Sequence, residues 1–229
     1  MNNLKGVGVA LVTPFNEDLS VDFDSLTRLI EYNIENGTNY LVVLGTTAEA
    51  ATLSKEEKKE VIKHVIKINS KRLPLVLGIG GNNTLEVKKQ IEETDLSDFD
   101  AVLSVSPYYN KPNQEGLYQH YKALAETGKQ IIIYNVPGRT GQNIEAATTV
   151  RLAKEFPNLF MIKEACPNIN QYFDILRTKP EGFSLVSGDD EYALPVTLAG
   201  GDGVISVIGQ GYPKEFSTML QLAFEGKIK

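Results

Sequence analysis

Four side chains in this sequence have types and spacings suited to carbonyl chemistry. Lys163 closes the apolar run Leu159-Phe160-Met161-Ile162, although interiors almost never hold an unpaired lysine. One reading is a solvated strand end, with the stem on apolar surface and the ammonium in water. The other is a partly desolvated amine, and desolvation lowers an amine pKa from its ordinary value of about 10.4. A neutral amine attacks carbonyl carbon and forms a Schiff base. The iminium then draws electrons from the adjacent carbon, which can be deprotonated to an enamine or released from a broken C–C bond. Such chemistry needs a proton shuttle, for which Tyr134 at the end of another apolar run is a candidate, with Thr46 as its hydrogen-bonding relay. Arg139, five residues after Tyr134, is suited to gripping a carboxylate with two parallel hydrogen bonds. Taken singly, each has a plainer reading: Tyr134 as amphipathic core, Thr46 and Thr47 as turn residues, Tyr108 and Tyr109 as a surface or interface clasp, and Arg139 as a solvated loop residue.

The elements that must position these residues are legible as eight short apolar runs: 6–13, 40–45, 73–80, 100–106, 130–136, 159–165, 183–188 and 202–209. Near-continuous apolar runs fit parallel strands covered on both faces. Between them, Leu26, Leu29, Ile30 and Ile34 fall at helical spacing, as do Val61, Ile62, Val65 and Ile66. Ser54 with Glu57 forms a capping-box pattern, and Gly37 stands where a left-handed helix end is expected. Eight strand–helix units with no linker predict one (β/α)8 barrel domain over residues 1–229. The rival, an open doubly wound sheet, usually carries a glycine fingerprint after its first strand, which "LVTPFNED" lacks. Barrel active sites are built at the C-terminal strand ends. There the sequence places "GTTAEA", "SPYYNKP", "YNVPGRTG", "IKEA", "SGDD" and "GVISV", so hydroxyls, phenols, an arginine and a lysine converge on one rim. That joint placement is what the plainer readings fail to predict.

Composition narrows the class. Hydrophobic residues at 42% and charged residues at 23% fit a globular protein. A net charge of −6 with interspersed signs leaves no basic stripe for nucleic acid. The single cysteine, Cys166, excludes an internal disulfide framework and reads as an inert buried thiol. Two histidines and scattered carboxylates form no metal-ligand set. The first fifteen residues read as neither a secretion signal nor a membrane span, so the expected location is the cytoplasm.

The motifs "GTTAEAATL", "SPYYNKPNQEGLYQHY", "YNVPGRTG", "IKEA", "SGDD" and "GVISV" occur in the order of the dihydrodipicolinate synthases, which this chain resembles from about Val7 onward. The resemblance implies a class I aldolase-like barrel that condenses pyruvate with aspartate semialdehyde on the way to diaminopimelate and lysine. It implies Lys163 as the residue that forms the Schiff base with pyruvate and Tyr134 as the acid–base group. Thr46 would stand in the proton relay, and Tyr109 would complete that relay from a neighbouring subunit of a homodimer or homotetramer. Thr46 and Thr47 would hold the pyruvate carboxylate, Arg139 the carboxylate of the semialdehyde, and Gly188 and Ile205 would line the pocket. No cofactor is implied, since the lysine itself supplies the electron sink. Asn82, Glu86 and Tyr108 match an allosteric lysine pocket of regulated members, while Lys55 and Lys58 stand where some of those members carry histidine. Related N-acetylneuraminate lyases and keto-deoxy-sugar-acid aldolases share the lysine and tyrosine; the paired threonines and Arg139 favour the synthase. A barrel that binds or scaffolds with little turnover is the non-enzymatic alternative. Where the family usually has "GTTGES", this chain has Ala48 and Ala50, so a turn requiring positive φ there would be altered. The sequence stops where family members continue into C-terminal helices, and weaker assembly is the expected result.

Overall fold

A computed structural model describes residues 4–227. The eight apolar runs form eight strands: β1 (Gly6–Ala10), β2 (Tyr40–Val43), β3 (Leu75–Gly78), β4 (Ala101–Val105), β5 (Ile131–Asn135), β6 (Leu159–Glu164), β7 (Ser184–Ser187) and β8 (Gly203–Ser206). All neighbouring pairs are parallel, and β8 pairs with β1 to close the barrel. The open-sheet rival is thereby excluded. Helices α1 (Phe23–Glu35), α2 (Lys55–Asn69), α3 (Thr84–Glu93), α4 (Gln114–Ala125), α5 (Pro137–Thr140), α6 (Ala146–Glu155), α7 (Ile169–Thr178), α8 (Ala193–Leu198) and α9 (Pro213–Phe224) occupy the connections. Among the described residues no helix is long and apolar enough to cross a membrane.

The helix signals behave as their chemistry requires. Leu26 and Ile30 of α1 are buried, as are Val61 and Val65 of α2. Glu57 N–H donates to Ser54 Oγ at 3.2 Å, while Ser54 N–H donates to Glu57 Oε2 at 2.8 Å, completing the capping box. Gly37 takes φ +90° just beyond α1.

Because successive strand residues point to opposite faces, the apolar side chains sort into two layers. Tyr40, Val42, Leu103, Ile132, Tyr134, Met161, Val186 and Ile205 form the barrel interior. Leu41, Val43, Val102, Ile131, Ile133, Ile162, Leu185 and Val204 pack outward against helix residues such as Ile30, Val65, Leu117 and Tyr172. Full burial of each such aliphatic side chain contributes about 1.5–3 kcal/mol. The interior needs local concessions to fit its large members: a Cβ on Gly8 would lie 2.1 Å from Cε2 of Tyr40, so only glycine leaves room for that ring.

One irregularity bears directly on the rim. Ile131 pairs with Leu159, yet the next residue, Ile132, pairs with Met161. Phe160 is therefore an extra residue in β6, a bulge that shifts the in–out alternation by one position. Downstream of it Tyr134 pairs with Lys163, and Asn135 with Glu164.

Candidate active site

The bulge turns Lys163 into the barrel mouth, where its neighbours are Tyr134 from β5 and Gly188 just after β7. Lys163 is 3% exposed, and its Nζ lies 4.4 Å from the centroid of the Tyr134 ring. Among the described residues it makes no ion pair, an uncommon state for a buried lysine. The Tyr134 hydroxyl stands 3.5 Å from Thr46 Oγ1, a distance at the long limit of a hydrogen bond. Gly188 supplies space: a Cβ there would come within 2.7 Å of Ala165 Cβ and 3.0 Å of Lys163 Cε. Its N–H donates to the Glu164 carbonyl at 2.6 Å, fixing the turn after β7 against the end of β6. Ile205 is fully buried in the interior layer on β8.

Thr46 and Thr47 lie in a short right-handed turn, Thr46–Ala48, that follows β2. The positive φ angles of this loop fall on Leu44 (55°) and Glu49 (54°), with Ala48 in the right-handed turn. The alanine at position 48 thus does not force the altered turn expected from the loss of glycine. What holds the turn is Thr13, which follows β1: its buried Oγ1 donates to the Ala48 carbonyl at 2.8 Å. The signal for Thr13 is a hydroxyl at a C-terminal strand end just before Pro14, but its partner lies 35 residues away and the letters do not name it.

Arg139 sits on the rim in α5, with its backbone N–H bonded to the Val136 carbonyl at 2.9 Å and its side chain exposed. The Lys111 stem crosses beside the same segment, where a Cβ on Gly141 would be 2.9 Å from Lys111 Cε. Tyr109 is 89% exposed and holds φ 72°, and within its own chain it makes no hydrogen bond to Tyr134 or Thr46. Tyr108 is also exposed. Asn82 accepts from Asn110 Nδ2 through its carbonyl at 3.0 Å, tying the loop after β3 to the Tyr108–Tyr109 loop. Glu86 is exposed in the first turn of α3.

Acids complete the surroundings. Partial burial, with Glu191 adding, holds the Asp189 carboxyl above the usual carboxylate range, and the Lys163 charge opposes that rise. Asp190 accepts from Val207 N–H at 3.2 Å, from Ile208 N–H at 2.9 Å and from the Ser206 hydroxyl, joining the β7 and β8 ends. Burial pushes the Cys166 thiol up, consistent with an inert group. Glu164, one residue beyond Lys163, is fully buried on the opposite strand face and bonded to Asn135 and Gln171; sequence reasoning passed it over. Among the described residues no cluster of His, Cys, Asp and Glu is arranged to hold a metal ion.

A buried amine against a phenol, a hydroxyl on that phenol and an exposed guanidinium at the rim together suit Schiff-base chemistry on an anionic carbonyl compound. Comparison with known proteins points the same way. The profile of the dihydrodipicolinate synthetase family matches residues 3–229. A Flavobacterium psychrophilum protein named 4-hydroxy-tetrahydrodipicolinate synthase is 57% identical over 224 residues, covering 97% of this chain and 76% of that one. The crystal structure of dihydrodipicolinate synthase from Thermotoga maritima matches with a TM-score of 0.95 at 40% identity, over 99% of this chain and 78% of the other. The chloride-inhibited dihydrodipicolinate synthase from Acinetobacter baumannii, complexed with pyruvate, matches with a TM-score of 0.93 at 45% identity, over 98% and 77%. The eight-stranded barrel with this rim is that of a chain that belongs to the dihydrodipicolinate synthetase family.

Proposed function

We propose that this protein is a lyase that condenses pyruvate with L-aspartate 4-semialdehyde to 4-hydroxy-tetrahydrodipicolinate, in the cytoplasmic biosynthesis of diaminopimelate and lysine. The observation that carries the reading is the buried Lys163 Nζ at 4.4 Å from the Tyr134 ring, with the Tyr134 hydroxyl facing Thr46. The Lys163 amine adds to the ketone carbon of pyruvate, and loss of water gives the iminium. Removal of a methyl proton gives an enamine, whose carbon adds to the aldehyde of the second substrate; the amino group of that substrate then attacks the iminium carbon, closing the ring and expelling the Lys163 amine. Tyr134 carries protons in these steps, with Thr46 as relay; a catalytic hydrogen bond that is long in the free enzyme tightens once substrate is bound. Thr46 and Thr47 hold the pyruvate carboxylate, while Gly188 and Ile205 shape its pocket. Arg139 receives the carboxylate of the semialdehyde.

The exposure of Tyr109 supports the reading that it serves the relay of a second copy of this chain. Asn82, Glu86 and Tyr108 form the candidate binding site for lysine as an effector, which calorimetric titration with lysine tests.

The reaction is tested by borohydride trapping with pyruvate followed by peptide mapping, where an adduct on Lys163 is expected and its absence refutes the assignment. Arg139→Ala should raise KM for the semialdehyde about tenfold or more, the cost of a charge-assisted hydrogen bond, with pyruvate trapping unchanged. Unaltered semialdehyde kinetics refute the role given to Arg139.

A further inference from the structure

Directly behind Lys163 and Tyr134, on the outer face of the same two strands, lies a polar cluster that takes no part in the chemical steps given above. Glu164 is fully buried. Its Oε1 accepts from Asn135 Nδ2 at 2.7 Å and from the Cys166 N–H at 2.9 Å, and its Oε2 accepts from Gln171 Nε2 at 2.9 Å. Its carbonyl accepts from the Tyr172 hydroxyl at 2.7 Å as well as from Gly188 N–H. Asn135 is held in turn: its Oδ1 accepts from Ile144 N–H at 3.0 Å, and its Nδ2 also donates to Asn143 Oδ1 at 2.8 Å. A buried carboxylate is costly to fold around, and an apolar residue would fill this position at lower cost. Among the described residues no cation bonds to it, so it is not one half of a buried ion pair there. What it joins is specific: Asn135 and Glu164 are a register pair, and the preceding register pair is Tyr134 and Lys163.

We propose that Glu164 is a positioning residue for the Schiff-base reaction assigned above, locking β6 to β5 through Asn135 so that the Lys163 amine and the Tyr134 phenol keep one mutual geometry. The inference rests on that assignment. Every group around the carboxylate donates to it, so the ionised form satisfies the cluster, whereas a protonated form sets its O–H against donors. The titratable groups facing it are Cys166 on its own segment, Tyr172 on α7, Tyr121 on α4 and Asp189 beyond β7, with Lys163 across the strand. Burial raises the Cys166, Tyr121 and Tyr172 groups, which keeps them neutral. Burial also pushes the Glu164 carboxyl up to about 7, with Asp189 adding, while the donors from Gln171, Asn135 and Cys166 oppose the rise. The clamp is therefore complete above neutrality and loosens below it.

The test is the rate of pyruvate adduct formation on Lys163, read by rapid borohydride trapping and mass spectrometry across the neutral pH range. The full chain should show a rate that rises with an ionisation near 7. Glu164→Gln should be about a hundredfold slower, the cost of an ångström-scale misplacement, with the half-saturating pyruvate concentration nearly unchanged and that ionisation gone. Gln171→Leu, which removes a donor outside the reaction site, should move the ionisation to higher pH. Glu164→Gln combined with Asn135→Asp, which returns a carboxylate to the same contact from the other strand, should recover about tenfold. A Glu164→Gln chain with unchanged rate and pH profile overturns the proposal, and so does a Gln171→Leu chain whose ionisation stays in place; the second result decides even if Glu164→Gln fails to fold. A full chain that never traps pyruvate on Lys163 overturns the reaction and this proposal together, a result distinct from either of those.

Discussion

Gly188→Ala places one methyl group between the end of β7 and the reacting lysine. Its Cβ would stand 2.7 Å from Ala165 Cβ, 3.0 Å from Lys163 Cε and 3.1 Å from the Glu164 carbonyl oxygen. Carbon atoms in contact sit at about 3.5–4.0 Å, so the clash with Ala165 alone demands a displacement of roughly 1 Å. Ala165 Cβ is fixed to the backbone and cannot swing aside; the Lys163 stem can, and moving it relieves only one of the three contacts. Overpacking of this kind costs about 1–3 kcal/mol, and misplacing a reacting group by an ångström costs on the order of 10²-fold in rate. Thermal denaturation should therefore show a folded but less stable barrel, and borohydride trapping a rate of Lys163 adduct formation lowered about a hundredfold. Gly8→Ala is the control: its Cβ would meet the Tyr40 ring at 2.1 Å in the barrel interior, and should cost stability while the folded fraction traps pyruvate at close to the parent rate. A Gly188→Ala protein that traps as fast as the parent refutes the claim that this glycine holds open the space beside Lys163.

Tyr134→Phe keeps the ring beside Lys163 and removes the hydroxyl facing Thr46; kcat should fall by about 10²–10⁴-fold, and a drop below threefold in steady-state assays contradicts the proton-carrying role. Thr13→Val removes the donor to the buried Ala48 carbonyl, costing about 1–3 kcal/mol in urea denaturation. Thr13→Ser should restore most of it, and a neutral Thr13→Val refutes the anchoring role. Glu164 also sets a stability dependence on pH: its carboxyl ionises near an ordinary 4.5 in the unfolded chain and at about 7 when folded. Between those values the native state holds a proton that the unfolded state has lost, so this group lowers stability as pH rises, by roughly 3 kcal/mol in all, and contributes no further change above. Denaturation midpoints of the parent minus those of Glu164→Gln, followed from pH about 5 to 8, should trace that fall, and a flat difference contradicts it.

The eight strands were legible because strands buried on both faces read as unbroken apolar runs, and each run contains one strand of the barrel. The rim followed from the rule that barrel sites gather at C-terminal strand ends, which put Lys163, Tyr134 and Thr46 on one rim, whereas Gly188 came from the family resemblance. Contacts made across the fold were not legible. Thr13 reaches Ala48 and Asn135 reaches Glu164 through bonds that span 35 and 29 residues, and no local pattern encodes them. The expected strain at Ala48 was a local inference of the same sort: a Gly-to-Ala difference was visible, but not that the backbone puts its positive φ at Leu44 and Glu49.

The β6 bulge at Phe160 was not legible either, and its logic is geometric. Leu159 faces the helices. Strict alternation from Leu159 would send Met161 and Lys163 outward too, and would turn Glu164 into the barrel mouth. The inserted Phe160 reverses this: Phe160 and Met161 both join the interior layer, Ile162 returns to the outer one, and Lys163 points inward beside Tyr134. The same shift places Glu164 outward, where Asn135 and Gln171 meet it. One extra residue thus assigns the amine to the reaction face and the carboxylate to the supporting face. Had the two been exchanged, the amine would face the Cys166 N–H and the amide groups that now donate to the carboxylate, and the mouth would hold a carboxylate that repels an anionic substrate. The bulge and the Glu164 cluster are therefore one device: the first selects which face Lys163 occupies, and the second holds the register at which that choice was made.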